Sequence, residues 1–100
     1  MIVRIFSTAV QPDEVESATN MFRAEVEPVF KEFDGCRGIE WYIGIDEHSG
    51  DLVDAVAISR WDSPEAIEAA TASNEYKKVL ANLRQLFRQS PIVRHYRAAD

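Results

Sequence analysis

Apolar positions along the chain recur first at every second residue, then at every third or fourth, and the changes of period mark the boundaries between elements. Residues 2 to 10, IVRIFSTAV, are rich in β-branched and aromatic types with no breaker among them, which predicts a strand ended by Gln11 and Pro12. From Asp13 the period lengthens. Val15, Ala18, Phe22, Val26, Val29, Phe30 and Phe33 recur at helical spacing behind an acidic first turn, so a long amphipathic helix follows. Pro28 removes a backbone donor inside that helix and is expected to bend or loosen it, while Asp34-Gly35 supplies the stop.

The two-residue period then returns. In GIEWYIGID, Ile39, Trp41, Ile43 and Ile45 share one side of a strand, and Glu40, Tyr42, Gly44 and Asp46 share the other. DEHSGD reads as a polar hairpin loop in which Gly50 is free to take a positive φ and His48 faces solvent. Residues 52 to 61, LVDAVAISRW, return as a strand. Ser63 is a good N-cap, Pro64 suits the first helical position and Glu65 favours the positive helix end, so a short helix starts there. A second start at Ser73 leads into the stripe Tyr76, Val79, Leu80, Leu83, Leu86 and Phe87, closed by Ser90 and Pro91. IVRHYR, from Ile92, is a last strand.

This order, βαββαβ, predicts the α+β class and a ferredoxin-like split βαβ arrangement, one antiparallel sheet with helices on one face. On the first strand Val3, Ile5, Ser7 and Ala9 alternate with Ile2, Arg4, Phe6, Thr8 and Val10; on the third, Val53, Ala55, Ala57 and Trp61 alternate with Val56 and Ile58. Neither side is cleanly polar, although a sheet covered on one face only should show water a polar one. The simplest cover is a second copy packed sheet to sheet, a homodimer whose open face would also be its binding cavity.

Length and charge narrow the picture. One hundred residues make a single domain, 1–100, with no linker or repeat dividing it. A net charge of −6 argues against nucleic acid as a partner. The charge is uneven: Lys77, Lys78, Arg84, Arg88, Arg94 and Arg97 crowd the last stretch without a carboxylate among them, which reads as a solvated helix surface, or as a basic end that holds an anionic or acidic phenolic ligand or meets an acidic helix of a partner subunit. Cys36 is alone, which excludes an internal disulfide and suits a reducing, cytoplasmic setting. No secretory leader and no membrane-length apolar run is apparent.

The element order, FDGCRGIEWYIGID after the first helix, and ISRWDSPEAIEAATASNEYKKVLANL leading to PIVRHYR together resemble the antibiotic biosynthesis monooxygenase-like family of dimeric α/β barrels. The most specific parts are the turn at Gly35, Cys36 and Gly38 and the strand-ending Trp61 followed by a small residue and acids. The resemblance implies a homodimer joined through the sheet face. It also implies a cavity between each sheet and its helices, or across the barrel, and cofactor-independent oxygenation of polycyclic phenols or quinols. Such chemistry leaves no sharp motif, because an electron-rich phenolate reacts with oxygen itself and needs only desolvation, proton loss and charge stabilisation. A haem-degrading branch of the superfamily uses an Asn on the first strand, a Trp after the third strand and a His on the next helix. Aligned on the Trp61 region, this chain has Ala70 and Leu80 at the Trp and His positions and no Asn on its first strand, which disfavours that branch.

The expected site therefore rests on few side chains. His95 is the candidate base, or else an imidazole satisfied by a local hydrogen bond, and Arg94 the candidate charge stabiliser, or else part of a dimer salt bridge or simply exposed. Tyr42, Trp61 and Tyr96 are the candidate cavity walls for a small aromatic ligand, with Trp61 open to a second role as a wedge under the helices. Two histidines and one distant cysteine make no metal-ligand spacing, so neither metal nor other cofactor is expected. Ser7 lacks any hydrolase context, and the pairs Asp13/Glu14 and Asp46/Glu47 suit capping or solvated roles. The competing functions are a non-catalytic ligand-binding or accessory dimer and an isomerase or cyclase using the same cavity.

Overall fold

The computed structural model describes residues 1–46 and 50–99; the sequence expectations for Glu47 and His48 lie outside the described residues. Four strands follow the predicted order, β1 (Ile2–Val10), β2 (Cys36–Ile43), β3 (Val53–Trp61) and β4 (Ile92–Arg97), and they pair antiparallel in the order β2-β3-β1-β4. This is the expected ferredoxin-like sheet. The registers Ile2↔Trp61, Phe6↔Ala57, Trp41↔Ala57 and Phe6↔Val93 assign the faces. Ile39, Trp41 and Ile43, then Val53, Ala55, Ala57, Ser59 and Trp61, then Ile2, Arg4, Phe6, Thr8 and Val10, and finally Val93 and His95 share one face. That face carries the helices.

The first helical stretch is α1 (Val15–Met21), a wider π-helical turn (Phe22–Val26) and α2 (Glu27–Lys31). Pro28 explains the interruption: it has no N–H, and its ring would press on the carbonyl four residues back. The widened turn relieves this one residue ahead of the proline, where the Glu27 N–H reaches back to Phe22 O. Gly35 then reverses the chain at φ 81°, and an added Cβ there would lie 2.7 Å from Ala66 Cβ, so both the turn and the approach of the next helix need glycine.

Helices α3 (Pro64–Thr71) and α4 (Asn74–Leu83) start where the sequence places them. Ser63 Oγ accepts from the Ala66 N–H and Ser73 Oγ from the Tyr76 N–H, each at 3.2 Å. The core between sheet and helices joins Phe22, Val26, Phe30, Trp61, Ile67, Ala70, Val79 and Leu83. A smaller cluster at the far end joins Val10, Ala18 and Ala55.

Two boundaries differ from the sequence reading. Helix α4 stops at Leu83 rather than near Ser90; after a short 3₁₀ turn, Phe87 is extended, its ring 5.7 Å from that of Phe6, and the Arg88 N–H donates to Ala9 O at 2.8 Å. Pairing with the end of β1 satisfies backbone that further helix would have held. Strand β2 stops at Ile43, and Ile45, expected to continue its side with Ile39, Trp41 and Ile43, is 98% exposed. The register with β3 is already complete at Ile43, and only Gly44 extends it, by an N–H to Asp54 O bond of 2.8 Å.

Candidate functional site

A charged side chain sits where the fold buries its apolar residues. Arg4 lies on β1, an interior strand of the sheet, in phase with Phe6, Thr8 and Val10, and therefore points under the helices. It is 7% exposed. Its Nη2 donates to the Tyr76 hydroxyl at 2.8 Å, and its guanidinium carbon lies 5.8 Å from the Phe6 ring centroid and 5.5 Å from that of Tyr76. Both rings offer it the negative face of a π system. Among the described residues the ion pairs join Glu27 to Lys31, Arg37 to Asp62, Glu40 to Arg60 and Glu14 to Arg88; none reaches Arg4. A buried cation with an aromatic and phenolic shell but no counter-ion is costly.

Arg4 lines a cavity of about 40 Å³ between the sheet and α4. The rings of Phe6, Phe22, Phe30, Trp41, Tyr76 and Phe87 surround it together with Val26, Val79, Leu80 and Leu83, while Arg4, Ser59 and the Tyr76 hydroxyl supply its polar groups. Trp41 is fixed by its indole N–H, donated to Thr19 Oγ1 at 3.0 Å, and by stacking on Phe22 at 5.3 Å. Across the sheet the row through Arg4 runs Ile39, Ser59, Arg4, His95. The space suits a water or two; a ring needs it wider.

The residues singled out from sequence divide between the two faces. Trp61 is on the helix side, wholly buried, its indole N–H donated to Ser59 Oγ at 2.8 Å and its rings packed against Phe30 and Phe33. It packs as a wedge under the helices, with no exposed surface. His95 is also on the helix side, next to Arg4 but exposed on edge strand β4, in an open groove with Ile2, Ile67 and Thr71. Tyr42, Arg94 and Tyr96 lie on the opposite face. Tyr42 donates to Glu40 Oε2 at 3.2 Å, and Arg94 Nη1 to Val93 O at 3.1 Å. The five are thus not gathered into one site.

Sequence reasoning passed over Arg4 and gave Tyr76 to the core. The signal available was a charge in phase with Ile2, Phe6 and Val10 on a strand whose two sides both looked apolar. Arg37 and Arg60 hold the Asp62 and Glu40 carboxyls below the usual carboxylate range through direct hydrogen bonds, and burial pushes the Cys36 thiol up. These groups lie away from the cavity. Among the described residues no three His, Cys, Asp or Glu side chains gather as a metal site, and no helix is long and apolar enough to cross a membrane.

Comparison with known proteins places this architecture. Residues 1–82 match the family model described as Antibiotic biosynthesis monooxygenase. Rv0793 from Mycobacterium tuberculosis is similar in structure with a TM-score of 0.76 at 22% identity, over 99% of this chain and 95% of that one. An antibiotic biosynthesis monooxygenase of solved structure gives 0.76 at 16% identity over the whole of both chains. SnoaB, a cofactor-independent oxygenase from Streptomyces nogalater solved as a mutant, gives 0.71 at 17% identity, over 99% and 93%. At these identities the likeness is one of fold. The chain matches no curated protein sequence.

Proposed function

The chain belongs to the antibiotic biosynthesis monooxygenase family, and from that premise we propose that it oxygenates a small electron-rich phenol or quinol without metal or flavin, in the cavity between its sheet and α4. The observation that carries this reading is the aromatic lining around a few polar groups. Rings above and below a flat substrate exclude water, and an electron-rich phenolate supplies the electrons that dioxygen takes up, so the protein has only to hold, deprotonate and shield it. SnoaB, named as a cofactor-independent oxygenase, has the same fold, which supports the reading.

His95, the register neighbour of Arg4 on the helix-bearing face, is the proposed proton acceptor. Being at the sheet edge, it can pass a proton to solvent. We place a second copy of the chain against the outer face, where Val3, Ile5, Val56 and Ile58 are only half-buried and Tyr42, Arg94 and Tyr96 border them. The small closed volume favours one rival, a non-catalytic ligand-binding dimer.

Oxygen-electrode measurements on chelator-treated protein with a panel of benzene- and naphthalene-hydroquinones separate the two. The oxygenase reading expects uptake above buffer autoxidation, suppressed at least about tenfold when Ala57→Leu fills the cavity floor. Uptake equal to buffer across the panel would overturn it, and turnover of a substrate without oxygen consumption would assign the cavity to an isomerase or cyclase instead.

A further inference from the structure

We infer that Arg4 and Tyr76 form a binding subsite for the charged oxygens of an aromatic anion, so that the ligand of this cavity carries a carboxylate or an ionised phenol. The inference rests on the cavity reading above and names the ligand class for it. Its ground is the unneutralised charge. Arg4 is 7% exposed, has no ion-pair partner among the described residues, and spends one donor on the neutral Tyr76 hydroxyl at 2.8 Å. A guanidinium offers five donors in a planar fork that matches two carboxylate oxygens, and the Tyr76 hydroxyl can turn to donate a further bond to the same group.

The surroundings fit the rest of such a ligand. Trp41, stacked on Phe22, and the rings of Phe6 and Phe87 line the same cavity as the guanidinium, and none of the cavity side chains is acidic. His95 lies directly opposite Arg4 across the β1–β4 pairing on that face, with Arg97 diagonal to it, opposite Ile2. An acidic substrate would therefore be held by charge at one end and by ring contact at the other.

A structural Arg4 and a ligand-binding Arg4 differ in what Arg4→Met does. Met fills much of the same volume without the charge, and replacing an unpaired buried cation by an apolar group is commonly neutral or stabilising. The experiment titrates benzoate, its neutral isostere benzamide, and ionised 4-nitrophenol into native protein and Arg4→Met by calorimetry, without oxygenation, so that binding and turnover can fail separately. The expected result is that benzoate, 4-nitrophenolate or both bind at least about tenfold more tightly than benzamide, and that Arg4→Met abolishes the preference with no fall in melting temperature. Benzoate binding assigns a carboxylate ligand; binding of 4-nitrophenolate alone assigns a phenolate. Equal affinity for benzoate and benzamide, a preference surviving in Arg4→Met, no binding of either anion, or a marked loss of stability in Arg4→Met would each overturn the assignment.

Discussion

Trp61 shows how far a single residue could be read. The helix start at Ser63 and Pro64 fixes it at the end of β3 from sequence alone, yet the face it leaves from depends on register, which alternation in a strand apolar on both sides does not decide. The register with Ile2 and Cys36 sends it inward, between Phe30 and Phe33, with its N–H satisfied by Ser59. Trp61→Ala should cost about 3–5 kcal/mol in urea denaturation, as large cavities in cores do. Arg4 is the related case: its charge is visible on a strand apolar on both sides, but whether it points inward depends on the same register. Cys36 gives a second check at this scale. Burial raises its thiol, which keeps it protonated at neutral pH, so its reaction with a disulfide reagent should run slower than that of a free thiol peptide and approach it on unfolding in urea.

At the scale of elements, type and order were legible because the period of the apolar pattern changes at each boundary and because Ser63, Ser73, Pro64 and Gly35 have backbone requirements of their own. The ends of β2 and α4 were not. Ile45 and Leu86 continue their periods after the elements stop, since apolar spacing carries no record of the long-range backbone bonds that end them, such as Arg88 N–H to Ala9 O. Gly35→Ala combines a strained φ with a 2.7 Å approach to Ala66 and should destabilise by roughly 1–3 kcal/mol, more than a change at the open, positive-φ Gly38. The junction of the same turn with β3 carries a pH dependence. Asp62, bonded by Arg37 through Nε and Nη2 at 2.7 Å each, has a folded pKa below its unfolded one. Its stabilisation is therefore present at neutral pH and fades as pH falls through the ordinary carboxylate range towards the lowered value. The melting-temperature gap between native protein and Arg37→Gln should be small, because the pair is exposed, and should close as pH falls; a gap that widened in acid would contradict the pairing.

For the whole molecule, the four strands leave one face under helices and the other with an apolar centre of Val3, Ile5, Val56 and Ile58 edged by the Glu40–Arg60 pair. Neither side of the strands is polar in the sequence itself, and that pattern alone points to a second copy over the outer face. The sequence reading took the open face as the binding cavity too, whereas the proposed cavity lies on the helix-bearing face, where Arg4 points inward. If the outer face is covered by a second copy, sedimentation at micromolar concentration gives a dimer and Ile58→Lys shifts it to monomer; a stable, monodisperse native monomer would rule that arrangement out. The two faces also separate the two accounts of where a ligand sits. The most direct test is an NMR titration of the protein with 4-nitrophenolate, following the two indole N–H signals and the backbone amides of the sheet. If the ligand sits under the helices, the Trp41 indole, which lines the cavity, shifts together with the Arg4 and Tyr76 signals while the amides of Tyr42, Val56 and Arg94 stay in place; shifts confined to those outer-face residues, with Trp41 unmoved, would put the ligand on the outer face and overturn the cavity as its site.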